Sequence, residues 1–245
     1  MTRIYNKGTA AIQVQTDEVV IYHSGINEVF LSSSLAIKGI DCDARHVILW
    51  SGTQIHVHRI LGSRVEIISE MHFQSDIKCT SLSDDSIFIV TDNKLVIMSL
   101  LGEHQNSVDF SHIHPPILLS NVNINNKIAV IREDGFLRVF DVTKIDDFDH
   151  ASQKSPWKNL HELAQGVYAI GKLASVKANA TASLLSIVSF NKGSSTLFIF
   201  NTLRNELKLV ETVDSDSLIS HCWDPAEPRL LACCYSSVGF EVRIP

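Results

Sequence analysis

Three groups of side chains in this chain have the types and spacing to do chemistry. Glu133 and Asp134 stand beside Gly135 in the stretch Arg132-Glu133-Asp134-Gly135. Paired acids could hold a cation, but a calcium loop draws several oxygen ligands from a short run, and this one offers two acids. The same composition suits a hairpin turn, where Asp bonds its own backbone and Gly accepts positive φ. A turn is therefore expected. His56 and His58 lie two apart, and His112 and His114 repeat that spacing before Pro115-Pro116. On a strand such a pair shares a face, and zinc would need two further ligands. Neither pair comes with a Cys-x-x-Cys or His-x-x-x-His spacing, so no metal and no cofactor is expected. Alternation puts Ile55 and Val57 in the core and both histidines on the opposite, sheet-packed or solvated, face. Cys233 and Cys234 are adjacent, face opposite ways on a strand and cannot chelate one ion together.

Nucleophile elbows, P-loops and dinucleotide fingerprints are absent from the sequence, and no enzymatic role is expected. Net charge is −6, with 21 basic residues scattered along the chain. A nucleic-acid or anionic-membrane partner would need concentrated positive charge, so neither is expected. The longest apolar stretches, such as Leu184 to Phe190, are far short of a membrane span. The chain starts without an apolar signal core, and its five cysteines are irregularly spaced, which fits a reduced, intracellular compartment. Asn179-Ala180-Thr181 matches a glycosylation acceptor, without consequence in such a chain.

The elements that must carry these residues are short alternating runs: Glu18–His23, Gln54–His58, Lys94–Met98, Phe136–Asp141, Thr196–Asn201 and Phe240–Ile244. Anchored on Val19, Ile55, Leu95, Leu137, Leu197 and Phe240, they recur at steps of 36, 40, 42, 60 and 43 residues. A second strand precedes each: Ala11–Gln15, Val47–Trp50, Ile87–Val90, Ile128–Ile131, Leu185–Phe190 and Leu230–Cys234. Gaps rich in Gly, Asn, Asp and Ser join the two as hairpins. A period near 40 residues with several strands per unit predicts an all-β fold, a WD40-type propeller of four-stranded antiparallel blades. Phe140-Asp141 stands where a WD repeat would carry Trp-Asp.

The long step contains residues 145–166, expected to be an inter-strand insertion. Its first half is polar. Ser155 as N-cap, Pro156, and Trp157, Leu160 and Leu163-Ala164 at helical spacing then predict one short helix near 157–165, ended by Gly166. Residues 177–183 are expected to form a further loop. Six units are counted, the first starting in mid-blade and the last without an outer strand. The expectation is a single propeller domain over 1–245, either a six- or seven-bladed ring completed unusually or, preferably, a piece of a longer chain.

Three blocks carry a resemblance: SHCWDPAEPRLLACCYSS at 220–237, PWKNLHELAQGVYAIGKL at 156–173 and HVILWSGTQIHVHRILGS at 46–63. From about Leu35 to its end, the chain resembles the second propeller of the intraflagellar transport protein 140 family, a subunit of complex A. The most specific element is Trp223, Asp224, Glu227, Pro228, Arg229 and Leu230. Asn159-Leu160, Glu162-Leu163 and Gly166-Val167 point to this member of the group. The resemblance implies two propellers followed by a helical solenoid, retrograde ciliary transport, entry of membrane proteins into the cilium, a place at the cilium and ciliary base, and other complex A subunits as partners. The first propeller and the solenoid have no counterpart in this chain.

The residues themselves allow two uses for Trp223, Asp224, Glu227, Pro228 and Arg229: a partner-binding surface, or a shaped turn before a strand, with Arg229 paired to Asp224 or Glu227. The turn is preferred, because proline fixes φ and lacks a donor. The expected function is a non-catalytic protein-interaction scaffold. The alternatives are a metal-binding or enzymatic propeller built on the histidine pairs, and a coat or vesicle-scaffold propeller. An open propeller would expose strand edges and apolar blade faces, so self-association is also expected.

Overall fold

The structure, a computed structural model, describes residues 3–6, 9–23, 28–83, 85–92, 94–109, 117–120, 127–141, 157–166, 169–214, 218–224, 226–235 and 239–243. These residues form six antiparallel sheets, each a meander of consecutive strands. The chain divides into two compact units, Met1–Ile113 and His114–Pro245, with three sheets in each.

In the first unit, the first sheet orders β1 (Arg3–Asn6), β2 (Thr9–Gln13), β3 (Glu18–His23) and β4 (Val29–Ser32). The second orders β5 (Gly39–Cys42), β6 (His46–Ser51), β7 (Gln54–Leu61) and β8 (Arg64–His72). The third orders β9 (Cys79–Leu82), β10 (Ser86–Val90), β11 (Lys94–Ser99) and β12 (His104–Asp109). The second sheet is covered on both faces. Val47 and Leu49 of β6 pack with Val19, Ile21 and Leu31 of the first sheet. Ile48, between them, packs with Ile55 and Val57 and with Ile87 and Ile89 of the third sheet. Two covered faces explain why β6 reads as a continuous apolar run rather than an alternating one.

In the second unit, the fourth sheet orders β13 (Ile117–Leu119), β14 (Lys127–Arg132), β15 (Phe136–Asp141) and β16 (Lys158–Asn159). The fifth orders β17 (Lys172–Ala178), β18 (Leu184–Asn191), β19 (Ser194–Asn201) and β20 (Glu206–Asp214). The sixth has three strands among the described residues: β21 (Leu218–Trp223), β22 (Leu231–Tyr235) and β23 (Gly239–Arg243). The fifth sheet is again a centre layer. Leu185, Ile187, Phe198 and Phe200 pack with Ala129, Ile131 and Leu137 of the fourth sheet. Val188, Leu197 and Ile199 pack with Trp223, Leu231 and Cys233 of the sixth.

All six expected hairpins form, with boundaries shifted by a few residues. Three local expectations change. The first unit does not start in mid-blade, because β1 pairs with β2 and makes that sheet four-stranded. Helix α1 is a single turn, Leu160–Leu163, and its N-cap is Asn159, whose side chain accepts from the His161 N–H. Residues 158–159 are held extended as β16 by pairing with Phe136 and Leu137, so the helix starts only after that edge is made. Ser155 and Pro156 lie outside the described residues. The expected loop at 177–183 is shorter than read, because Lys177 and Ala178 continue β17 by pairing with Ser186 and Leu185.

Candidate functional site

The acidic pair of the fourth sheet sits in the β14–β15 hairpin, where Ile131 pairs with Leu137 and the Gly135 N–H donates to the Arg132 carbonyl at 2.9 Å. Gly135 has φ +92°, and a Cβ there would lie 2.7 Å from His161 Cδ2. Glycine is therefore required both by the turn and by the close approach of α1. The Arg132 guanidinium bonds the Asp134 carboxylate. Lys172 Nζ stands 2.9 Å from Glu133 Oε1. Each acid is thus taken by a cation of the chain, and the pair works as a turn.

His56 and His58 are both buried on β7, with ring centroids 6.2 Å apart at 52°. They are packed within the sheet rather than solvated. Burial, with a smaller push from His56, lowers the His58 pKa to about 4. Among the described residues, no group of three or more His, Cys, Asp or Glu gathers around a common point. His112 and His114 lie outside the described residues. Cys233 is buried and Cys234 half-buried on opposite faces of β22, and neither is joined in a disulfide.

The Trp223–Arg229 element closes on itself and on the fifth sheet. The Trp223 indole is buried and its Nε1 donates to the Lys177 carbonyl at 3.1 Å. Asp224 Oδ1 accepts from the Ala226 and Glu227 N–H groups, each at 2.8 Å. Those two donors, Glu227 first, hold the Asp224 carboxyl below its ordinary pKa. Backbone bonds from Asp224 N–H to the Leu230 carbonyl at 2.9 Å, and from Leu230 N–H to the Glu227 carbonyl at 3.0 Å, lock the loop. Glu227 Oε1 accepts from the Arg229 N–H at 3.3 Å. Among the described residues the Arg229 side chain forms no ion pair with Asp224 or Glu227 and is exposed. The turn is held by backbone donors, and its outward groups are Glu227 and Arg229.

Two contributors to this contact between the fifth and sixth sheets escape a reading by motif. His221, two residues before Trp223 on the same face of β21, is buried between two hydroxyls. Ser186 Oγ lies 2.8 Å from its Nδ1 and Ser175 Oγ 3.0 Å from its Nε2. Burial, helped by the charge of Lys177, drives its pKa down to about 3, so it is neutral. Asn179 is buried, and its amide donates to the Pro228 carbonyl at 2.9 Å while its oxygen accepts from the Leu184 N–H at 3.1 Å. The apparent glycosylation acceptor is a strut between sheets. The signal for His221 was its alternation with Trp223. Nothing local marks Asn179, whose partner is 49 residues away.

Consecutive antiparallel meanders, stacked face to face within each unit by apolar side chains, are blades, and the fold is a WD40-type β-propeller. The propeller domain of Cps50 (Swd1) from Myceliophteria thermophila is similar, with a TM-score of 0.68 at 14% identity over 100% of this chain and 82% of that one. Hsv2 from Kluyveromyces lactis gives 0.66 at 13% over 98% and 72%. At such identities the likeness concerns the fold. The family is given by sequence: the chain belongs to the IFT140 second beta-propeller family, whose model matches residues 7–211. Among the described residues, no helix is long and apolar enough to cross a membrane.

Proposed function

We propose that this chain is a non-catalytic protein-interaction scaffold, the propeller module of an intraflagellar transport complex A subunit. In this reading it serves retrograde transport and the entry of membrane proteins into the cilium, working at the cilium and ciliary base on the cytoplasmic side. Its partners are the other complex A subunits. Residues 1–245 are read as one propeller domain carrying the 145–166 insertion. The observation that carries the proposal is the family match over residues 7–211. The physical chemistry agrees with it: Asp134 is engaged within its own hairpin, and Glu133 and the buried His221 are engaged by groups of the neighbouring sheet.

Self-association belongs to the same reading. Val14, Tyr22 and Phe30, the last 70% exposed, are among the few large apolar side chains left in water. The register pairs Val20 with Phe30 and Ile12, and Ala10 with Tyr22, which places an apolar set on one face of the first sheet. Such a face favours association between copies. Light scattering at several concentrations tests this, and a mass fixed at that of one chain would contradict it.

The main test is affinity purification of the folded, tagged chain from ciliated-cell lysate, with retained proteins quantified by mass spectrometry. Recovery of complex A subunits is expected. A folded chain that retains none of them would overturn the proposal.

A further inference from the structure

One cavity of the first unit, about 390 Å³, is lined by Arg45, His46, Arg59, Ile60, Leu61 and Asp85. The turn between β5 and β6 supplies Arg45 and leads into His46. Asp43, 1% exposed, accepts from the Arg45 and His46 N–H groups at 2.7 Å each. Its carboxylate also faces His46 Nδ1 at 3.3 Å, which fixes that ring. The Arg45 carbonyl accepts from the Ile60 N–H at 2.7 Å, tying the turn to β7. Across the β6–β7 ladder, Arg59 stands directly opposite His46.

Arg45 and Arg59 are both exposed, and among the described residues neither guanidinium forms an ion pair. The chain as a whole is acidic, at −6. Two unpaired fork-shaped cations at one concave, backbone-tied position therefore run against the rest of the surface. A guanidinium binds planar oxyanions through two parallel N–H donors. Asp43 is occupied by its own turn. Asp85, at the wall, adds a negative charge that repels a dianion more than a monoanion. Ile60 and the partly exposed Leu61 offer an apolar shelf beside the cations. The match is to a single carboxylate flanked by an apolar side chain.

We propose that this cavity receives an aspartate or glutamate side chain from an acidic, apolar-flanked peptide segment of a partner protein, held by Arg45 and Arg59. The inference rests on the reading of the chain as a protein-binding module, and its test separates the two.

A random dodecapeptide display library is selected on the folded chain and, in parallel, on the Arg45→Met/Arg59→Met variant. Both side chains are exposed, so the variant should unfold at the wild-type midpoint, which is checked first. Peptides with Asp or Glu next to Leu, Ile or Phe should be enriched on the wild type alone. The best of them should lose affinity by roughly tenfold or more in the double variant, as expected when charge-assisted bonds are removed. Arg45→Lys and Arg59→Lys, which keep the charge but lose the fork, should fall between. Asp85→Asn should tighten binding. Acidic peptides bound equally by the double variant would overturn the assignment of these arginines while leaving the module reading in place. Enrichment without acidic residues would do the same. Competition by inorganic phosphate well below the concentration at which acetate competes would overturn the choice of a carboxylate.

Discussion

The contact between the fifth and sixth sheets and the cavity lined by Arg45 and Arg59 use polar groups to opposite ends. At the first, three buried groups find partners within the fold: His221 lies between Ser186 and Ser175, the Trp223 indole meets the Lys177 carbonyl, and the Asn179 amide meets Pro228. At the second, the Asp43 carboxylate and His46 are engaged by their own turn, but among the described residues Arg45 and Arg59 form no ion pair. A polar group that is closed on its own chain holds structure, because leaving it unpaired in the interior costs its full desolvation. One that is left open on a rigid turn is free to recognise something else. The two regions should therefore respond to mutation in opposite ways.

The largest effect is expected at Trp223. Trp223→Ala removes a buried indole and its bond to Lys177, and should cost about 3–5 kcal/mol in chemical unfolding. Trp223→Phe keeps most of the volume and should cost nearer ~1 kcal/mol, the net worth of one hydrogen bond. Equal losses in the two variants would mean that packing is not what the indole supplies.

Acid should act next, and first on the buried histidines. The folded pKa values, about 3 for His221 and about 4 for His58, lie below the ordinary 6.5. As the pH falls below about 6.5, the unfolded chain takes up protons that the folded chain refuses. Their stabilising effect is complete above that pH and is lost on the way down to the folded values. The slope should approach ~1.4 kcal/mol per pH unit for each imidazole. His221→Leu should flatten the slope and lower the plateau by about 1–3 kcal/mol, because Ser175 and Ser186 lose their partner. A slope between pH 6.5 and 4 unchanged by this substitution would remove His221 from the account.

Smaller again is Gly135→Ala. Its φ of +92° and the 2.7 Å approach of its new Cβ to His161 should cost about 1–3 kcal/mol and loosen α1. Hydrogen exchange at Leu160–Leu163 would read the second effect, and unaltered protection there would contradict the coupling of turn and helix. At the small end, Arg45→Met and Arg59→Met should each change stability by no more than about 0.5 kcal/mol, as surface substitutions do.

How much of this could be read in the sequence follows the same division. The hairpins were legible, because period-2 alternation and turn residues are local signals. Phe136–Asp141 and Glu18–His23 form over the spans expected of them. The turn role of Glu133, Asp134 and Gly135 was legible for the same reason. The start of α1 was not, since residues 158–159 are claimed by an edge pairing with Phe136 and Leu137, more than twenty residues back. Lys177 was assigned to a loop on its polar neighbours, yet it faces Ser186 in a ladder. The sheet-to-sheet roles of His221 and Asn179 depend on partners 35 to 49 residues away, which no spacing rule reaches. The pairing of Arg229 with an acid was expected from charge alone, whereas backbone N–H groups had already taken those acids.

One measurement weighs the whole comparison. Wild-type chain and the Arg45→Met/Arg59→Met variant, shown by urea unfolding to share a midpoint, are used side by side as bait in ciliated-cell lysate, and every retained protein is quantified. The account predicts that wild type retains complex A subunits and that the variant loses at least one of them roughly tenfold. If both baits retain the same proteins in the same amounts, the open arginines do not serve recognition, and the contrast drawn here between closed and open polar groups fails.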